Sequence, residues 1–350
     1  MDDRFSAQTV RANGQRIHLV SAGSGPLVLF CHGFPESWHS WRHQLTALAD
    51  AGYRAVALDM RGYGRSAKPP SVSDYRITEL VADCVGVVQA LGETSAVIVG
   101  HDWGAPVAWT AAWTRPDVFR AVAGLSVCFG GRGLMGLPGN PLGERRPSLV
   151  ERELAGPGLL FYQEHFRSEA GSAEVRDDVR GWLRAAAYGF SAAPPLPPQL
   201  AGVDLTALPE DMLGQYVRTA LCLPPGSRLV DRLPPPPEVL PDWITEPDLD
   251  LLVGEFERTG LEGGLNYYRC VDLNWELLAG YAGTPVSVPS LFLGGDRDVA
   301  TIWAAEAIRL LPTTQSDLRG SIILPDCGHW IQQEKADEVN AALLEFLKGL

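Results

Sequence analysis

Short apolar runs alternate with amphipathic stretches along the first 130 residues of the chain. The apolar runs, rich in β-branched residues, predict buried strands, and apolar residues at helical spacing predict helices between them. The predicted strands cover 17–20, 27–31, 54–58, 96–99 and 121–127, and the predicted helices cover 38–50, 78–91 and 105–113. Because strands alternate with helices, we expect right-handed crossovers and a mostly parallel sheet flanked by helices.

The same alternation returns near the C-terminus, after a long segment in which glycine and proline clusters separate helical stretches. The elements predicted in these two parts are strands 290–293 and 321–324 and helices 175–188, 247–259, 265–279, 302–311 and 334–347. We interpret residues 131–286 as a mainly helical cap inserted into a sheet domain formed by 1–130 and 287–350. The alternative for its proline runs is a set of polyproline II ligands for a partner domain.

The pentapeptide GHDWG at 100–104 is the most informative motif in the chain. It has the G-x-S-x-G spacing of a nucleophile elbow, a tight turn between a strand and a helix, with Asp102 where serine usually stands. A serine that opened an epoxide or displaced a halide would become an ether, whereas a carboxylate becomes an ester that water can hydrolyse. The motif therefore predicts attack on a carbon electrophile that is not an acyl group. The alternative interpretation of GHDWG is an acidic turn between two glycines that has no catalytic role.

Two further motifs follow Asp102 in the order nucleophile, acid, histidine that distinguishes this sheet fold from other triad folds. Asp296 and Asp298 come directly after the predicted strand 290–293, and His329 follows the last predicted strand. Both positions lie at C-terminal strand ends, where open α/β sheets form their ligand crevice. The residues alone leave Asp296 and Asp298 as competing candidates for the acid that orients His329.

The composition is that of a soluble globular protein and narrows the set of partners. The 350 residues carry 42 acidic and 29 basic side chains, and the net charge of −13 argues against nucleic acid or an anionic membrane as partner. An acidic start and the lack of a long apolar run predict neither a signal peptide nor a membrane span. The six cysteines include no C-x-x-C pair and are interpreted as buried thiols, so we expect a cytoplasmic protein.

Several motifs together resemble those of the epoxide hydrolases of the α/β-hydrolase fold. They are HGFPESW at 32–38, RGYGRS at 61–66, GHDWG at 100–104, GLNYYR at 264–269, NW at 274–275 and GHW at 328–330. The likeness extends over the whole chain. It implies conversion of an epoxide to a vicinal diol through an ester on Asp102, with no metal or other cofactor. Water activated by His329, with Asp298 as the partner acid, is implied to hydrolyse that ester.

The resemblance also implies roles for residues around the nucleophile. The backbone amides of Phe34 and Trp103 are implied to form the oxyanion hole, with a cis peptide before Pro35. Two cap side chains donate hydrogen bonds to the epoxide oxygen in the family. One of them maps onto Tyr268, and its neighbour Tyr267 is the alternative.

The second donor departs from the family pattern. His165 occupies the position of the usual tyrosine, and Tyr162 lies three residues earlier, on the same face if this segment is a helix. A histidine–tyrosine donor pair occurs among some relatives, so we expect His165 to be the donor, with Tyr162 as the alternative. We also expect Pro35, Trp38 and Trp330 to contact substrate in an aromatic pocket suited to a lipophilic or aryl epoxide.

Two other functions are compatible with parts of this pattern. Haloalkane dehalogenases use the same aspartate elbow and histidine, but they favour Asn after the His-Gly turn and a tryptophan that holds the halide. Phe34 and Tyr268 favour an epoxide oxygen instead. A ligand-binding protein on this fold usually lacks a member of the triad, and all three are present here. The expected partners are a small epoxide and water, and a homodimer is left open as the assembly.

Overall fold

The structure, a computed structural model, describes residues 4–200 and 202–350. Residues 1–3, part of the acidic start noted above, lie outside the described residues. The described strands are β1 (Ser6–Ala12), β2 (Gln15–Ala22), β3 (Leu27–Cys31), β4 (Arg54–Leu58), β5 (Ala96–His101), β6 (Phe119–Leu125), β7 (Leu160–Phe161), β8 (Cys222–Leu223), β9 (Val286–Gly295) and β10 (Gln315–Leu324). Eight of them form one sheet in the order β1-β2-β4-β3-β5-β6-β9-β10. β2 pairs antiparallel with β1 and β4, and every other neighbouring pair of this sheet is parallel, as the alternation of strands and helices predicts.

Helices cover both faces of the sheet and fill the segment between β6 and β9. Their bounds are α1 (Arg42–Asp50), α2 (Ile77–Ala90), α3 (Gly104–Thr114), α4 (Pro147–Ala155), α5 (Tyr162–Arg167), α6 (Glu169–Asp177), α7 (Val179–Gly189), α8 (Glu210–Leu221), α9 (Glu246–Thr259), α10 (Glu262–Arg269), α11 (Val271–Leu277), α12 (Val299–Trp303), α13 (Ala305–Thr314), α14 (Ile331–Glu334) and α15 (Ala336–Lys348). In the part of the chain that the structure describes, no helix combines the length and apolarity needed to cross a bilayer.

Strand β5 shows how the sequence divides the interior between the two faces of the sheet. Successive side chains of a strand point to opposite faces. Ala96 and Ile98 belong to the apolar cluster that contains α2 and α3, whereas Val97 and Val99 belong to the cluster that contains α1 and α15. The first cluster also contains Trp182 of α7, so one continuous apolar core joins the inserted helices to the sheet. All six cysteines are buried and unpaired, as their sequence contexts predict.

The structure contains elements that the sequence pattern did not predict. Strand β1 is an edge strand whose residues are mostly exposed, so it lacks the apolar alternation that marks a half-buried strand. The pair β7–β8 has only two residues in each strand. The predicted helix 175–188 is two helices, because Asp178 has φ −150° and ψ 77° and its side chain accepts a hydrogen bond from the amide of Gly181, which caps α7.

Candidate active site

Asp102 lies in the turn between β5 and α3, where the backbone is compressed. It has a positive φ of 48°, a left-handed conformation that costs a non-glycine residue about 1–2 kcal/mol. The flanking glycines make the turn possible. A Cβ on Gly100 would lie 2.0 Å from the carbonyl oxygen of Gly104, and a Cβ on Gly104 would lie 2.0 Å from that of Cys31. The motif therefore forms the predicted elbow, with glycine required at both ends.

One carboxylate oxygen of Asp102 already has a partner. The Phe34 amide donates a hydrogen bond of 2.7 Å to Oδ1, next to the cis peptide that joins Phe34 to Pro35. The Trp103 amide belongs to the first turn of α3, where helical N–H groups have no acceptor within their own helix. The other oxygen, Oδ2, is 3.5 Å from Nε2 of His329. The Phe34 amide is therefore close enough to stabilise negative charge on the Asp102 carboxyl group.

Asp298, not Asp296, is the acid that contacts His329. Its Oδ1 lies 3.0 Å from Nδ1 of His329, while Asp296 accepts a hydrogen bond from the amide of Cys327. Asp298 is fully buried and caps α12, accepting hydrogen bonds from the amides of Ala300 and Thr301. Burial opposes its ionisation, but the pairing with His329 and these hydrogen bonds outweigh it and lower the pKa of Asp298. Of the two aspartates that follow β9, Asp298 is therefore the one in contact with His329.

Ser126 is a residue of this site that the sequence motifs did not reveal. Its hydroxyl donates a hydrogen bond of 2.5 Å to Oδ2 of Asp298 and also lies 3.0 Å from Nδ1 of His329. Ser126 follows β6 and has a positive φ of 67°. The sequence places Ser126 within the predicted strand 121–127, and that position is too general to identify a functional side chain.

His329 sits between two carboxylates. Burial disfavours its charged form, but the charges of Asp298 and Asp102 and their hydrogen bonds outweigh that effect, so the pKa of His329 is well above its usual value of 6.5. Its amide donates a hydrogen bond to the carbonyl of Phe190, which follows α7, and this contact fixes the loop against the helices between β6 and β9. Contact with these two carboxyl groups therefore favours the protonated form of His329.

A buried histidine next to the nucleophile supports the loops from beneath. His101 has Nδ1 2.7 Å from a carboxylate oxygen of Glu36 and Nε2 2.7 Å from the carbonyl oxygen of His329. Both ring nitrogens therefore face oxygen atoms. Glu36 also accepts hydrogen bonds from the Gly33 amide and from Nε2 of Gln332. The pair therefore links the Phe34 loop, the elbow and the His329 loop.

An apolar cavity of about 560 Å³, including space open to solvent, lies over Asp102 and His329. Tyr162 and Tyr268 both line it, with ring centroids 6.1 Å apart. Its remaining walls are mainly aromatic and aliphatic, and they include Phe34, Pro35, Phe166, Trp182, Phe190, Leu221, Val299, Trp303 and Trp330. Tyr267, the alternative to Tyr268, donates its hydroxyl to the carbonyl of Arg61 and does not line the cavity.

Burial is the main reason that the pKa values of both cavity tyrosines are raised, and the negative charge of Asp102 adds to it. Both hydroxyls therefore keep their protons at neutral pH and can donate hydrogen bonds. The side-chain amide of Gln163 donates a hydrogen bond of 3.0 Å to the oxygen of Tyr162. This contact leaves the Tyr162 proton free for another acceptor in the cavity.

Two side chains expected at the site are elsewhere. His165 is buried away from the cavity, with Nε2 2.7 Å from Glu174, whose carboxylate also accepts a hydrogen bond from Nε1 of Trp182. It is Tyr162 that points its side chain into the cavity, so the expectation for His165 is corrected. Trp38 packs edge-on against Phe5 in the core beneath the sheet, on the α1 and α15 side, and is also outside the cavity lining.

The fold and the site are those of an α/β hydrolase, and comparison with known proteins agrees. The profile of the α/β-hydrolase fold family matches residues 26–210. The chain is 49% identical to epoxide hydrolase B of Mycobacterium tuberculosis over 97% of this chain and 98% of that protein. It is 40% identical to epoxide hydrolase A of the same species, over 97% of each.

Solved structures give the same result. An epoxide hydrolase from an endophytic Streptomyces has a TM-score of 0.87 and 47% identity, covering 99% of this chain and 96% of that one. Potato epoxide hydrolase I has a TM-score of 0.82 and 31% identity, covering 99% of this chain and all of that one. The chain belongs to the epoxide hydrolases of the α/β-hydrolase fold.

Proposed function

We propose that this epoxide hydrolase works through a covalent ester, formed when the Asp102 carboxylate attacks a ring carbon and later hydrolysed by water. One arrangement supports the proposal above all: the nucleophile candidate, two protonated tyrosines and the histidine line a single apolar cavity. Every group that ring opening and ester hydrolysis require is therefore within reach of one bound substrate.

In the first step, Oδ2 of Asp102 bonds to carbon, and the bond between that carbon and the ring oxygen breaks. Oδ1 is held by the Phe34 amide, which leaves Oδ2 for the attack. The ring oxygen receives hydrogen bonds from Tyr162 and Tyr268, and one of the two supplies its proton. An alkoxide is a poor leaving group at neutral pH, so such general-acid assistance accelerates the step by roughly 10²–10⁴.

In the second step, a water molecule attacks the ester carbon and His329 accepts its proton. Negative charge develops on Oδ1, where the amides of Phe34 and Trp103 stabilise it. Asp298 holds the ring by Nδ1 and stabilises the imidazolium that forms. When the intermediate collapses, the bond between the ester carbon and the diol oxygen breaks, and that oxygen takes the proton from His329. The proton left on the Asp102 carboxyl group returns to the tyrosine that was deprotonated in the first step, so one epoxide and one water yield one vicinal diol and the enzyme is restored.

The change of charge on Asp102 couples the two steps. While Asp102 is ionised, it helps to raise the pKa of His329. Once the carboxylate is esterified, that charge is gone, and the pKa of His329 falls. The histidine therefore becomes a competent base at the stage that needs one.

The cavity lining supports a lipophilic or aryl epoxide as substrate. Its aromatic walls include Phe34, Phe166 and Trp182, with ring centroids 5.6–6.1 Å apart. Aromatic rings in such edge-on arrangements favour contact with apolar and aromatic groups. Hydrogen-bonding groups are concentrated at the reacting end, around Asp102 and the two tyrosines.

Trapping the ester tests the proposal. In His329→Gln the first step can proceed and the second is slowed, so intact-protein mass spectrometry after mixing with styrene oxide should show an adduct of one substrate mass. The adduct should be absent when Asp102→Ala is added and absent from the control His43→Gln, which lies on α1 away from the cavity. An Asp102→Ala enzyme that still forms diol at the native rate would contradict the proposal.

A further inference from the structure

The two tyrosines that donate to the ring oxygen in the proposed mechanism belong to different helices. Tyr162 begins α5, and Tyr268 lies near the end of α10. Their ring centroids are 6.1 Å apart. Both hydroxyls can reach one oxygen atom only if the two helices keep a fixed separation and orientation. The contacts that join α5 to α10 therefore bear directly on the geometry of ring opening.

Arg167, the last residue of α5, joins the two helices by a hydrogen bond to the donor residue itself. Its Nε donates a hydrogen bond of 3.0 Å to the backbone carbonyl of Tyr268. A hydrogen bond from a charged donor is roughly twice as strong as one between neutral groups. The end of the helix that carries Tyr162 is thus fixed to the backbone that carries the second hydroxyl.

Glu151 of α4 holds the other side of the same guanidinium. Its Oε1 lies 2.6 Å from an Nη atom of Arg167, and its side chain is only 1% exposed. Burial raises the pKa of Glu151, and the charge of Arg167 opposes that rise. Because a guanidinium group is planar and rigid, holding one nitrogen sets the direction of the others. The contact with Glu151 therefore aims Nε at the carbonyl of Tyr268.

α10 makes a contact in the opposite direction. Nε of Arg269 donates a hydrogen bond of 3.4 Å to the backbone carbonyl of Arg167, and its guanidinium also donates to the hydroxyl of Ser172 in α6 at 2.9 Å. The ring of Phe166 packs against that of Tyr268, with centroids 5.3 Å apart. A shift of α5 along α10 would therefore break two hydrogen bonds and a ring contact together.

We propose that Arg167 is a positioning residue for ring opening, because it sets the separation of the Tyr162 and Tyr268 hydroxyls over Asp102. The inference rests on the proposed function, in which both hydroxyls bind the epoxide oxygen. Arg167 does not line the cavity, so it acts through the carbonyl of Tyr268 and not on the substrate.

The two chemical steps should respond differently to the loss of Arg167. Ester hydrolysis depends on the amides of Phe34 and Trp103 and on His329, and none of these residues belongs to α5 or α10. Loss of the positioning contact should therefore slow formation of the ester and leave its hydrolysis unchanged. A general loss of stability would not separate the two rates in this way.

Two substitutions of similar size separate the hydrogen bond from the ion pair. Arg167→Gln places an amide nitrogen as many bonds from the backbone as Nε, so it can keep the contact with the Tyr268 carbonyl, whereas Arg167→Met has no donor. Both are neutral and deprive Glu151 of its charged partner. Since a misplacement of about 1 Å can cost 10²-fold, we expect Arg167→Met to form the ester roughly 10- to 100-fold more slowly than the native enzyme. Arg167→Gln should recover most of that loss.

Rapid-quench reactions with styrene oxide, followed by intact-protein mass spectrometry, measure formation and hydrolysis of the ester separately. The matched control is Arg218→Met, because Nε of Arg218 also joins two helices, through the carbonyl of Leu154 at 3.1 Å, and should leave both rates unchanged. A double-mutant cycle adds a second readout. In Tyr268→Phe there is no hydroxyl left to position at that residue, so adding Arg167→Met should slow ester formation by a smaller factor than it does in the native enzyme.

Three results would overturn the inference: ester formation at the native rate in Arg167→Met, equal losses in Arg167→Met and Arg167→Gln, or equal slowing of both steps. If Arg167→Met fails to fold, the same comparison is made with Glu151→Met added to both variants, because an apolar replacement of a whole buried ion pair is often tolerated. Failure of the ester to form in His329→Gln, where Arg167 is unchanged, would instead count against the ester mechanism.

Discussion

Replacing Tyr162 and His165 separately distinguishes a ring-opening donor from a buried side chain with a structural role. Tyr162→Phe keeps the ring in the cavity wall and removes only the hydroxyl. A hydrogen bond to an oxygen that gains charge contributes about 1.5–3 kcal/mol, which corresponds to a loss of roughly 10- to 150-fold in the rate of ring opening. Tyr268→Phe should lose a similar factor, because both hydroxyls are buried beside Asp102.

His165→Leu should behave in the opposite way. The change removes the 2.7 Å contact with Glu174, whose carboxylate keeps three other donors, from Trp182 Nε1 and the amides of Leu229 and Val230. A buried group that loses one partner costs about 1–3 kcal/mol. We therefore expect a lower melting temperature and ring opening within a few-fold of the native rate.

Single-turnover kinetics with styrene oxide and thermal unfolding by circular dichroism measure the two effects separately. Tyr162→Phe should slow alkylation of Asp102 with little change in the melting temperature. His165→Leu should lower the melting temperature with little change in alkylation. If His165→Leu slows alkylation as much as Tyr268→Phe does, and Tyr162→Phe leaves it unchanged, the assignment of Tyr162 is refuted.

Three further changes test other parts of the site. Gly33→Ala should abolish activity with the fold retained, because a Cβ there would lie 2.3 Å from Oδ1 of Asp102; loss of turnover with a native circular dichroism spectrum checks this. Glu36→Gln should destabilise the fold by about 3–5 kcal/mol at neutral pH, because it removes the buried carboxylate that contacts His101 at 2.7 Å. Burial opposes the ionisation of Glu36, but the contact with His101 outweighs it and lowers the pKa of Glu36 to about 2. The stabilisation by the ionised carboxylate is therefore present above the ordinary pKa of 4.5 and is lost as pH falls toward 2. Urea unfolding at several pH values should show that the difference in stability between variant and native protein shrinks on the acid side. In single-turnover experiments with the native enzyme, hydrolysis of the Asp102 ester should fall as pH drops through the pKa of His329, and a hydrolysis rate that is flat across that range would exclude His329 as the base.

Much of the site could be predicted because it depends on local sequence. The elbow is fixed by glycines that only a tight turn requires, and the acid and histidine follow strands whose ends meet at one edge of the sheet. Asp298 was left in competition with Asp296, because both follow β9 and only the fold shows that Asp296 bonds the amide of Cys327. Strand β1 was missed because an exposed edge strand carries no apolar alternation.

The roles of side chains in the helical segment between β6 and β9 were harder to predict, because their contacts are long-range. Tyr162 begins α5, a helix of six residues, so the helical spacing to His165 placed the two on one face without showing which of them reaches Asp102. His165 contacts Glu174 in the next helix, and the other donors to Glu174 are Trp182 Nε1 and the amides of Leu229 and Val230. The side chain of Ser126 likewise acquires its role only from the arrival of Asp298 beside it.

A single turnover in heavy-oxygen water, with enzyme in excess over epoxide, tests the covalent step most directly. If Asp102 attacks carbon and water then attacks the ester carbonyl, the solvent oxygen enters the carboxyl group of Asp102 and the first diol released carries none. Mass spectrometry of the peptide that contains Asp102 and of the diol should show the label in the peptide alone. A labelled diol with an unlabelled peptide would mean that water opens the ring directly, and the covalent account would be wrong.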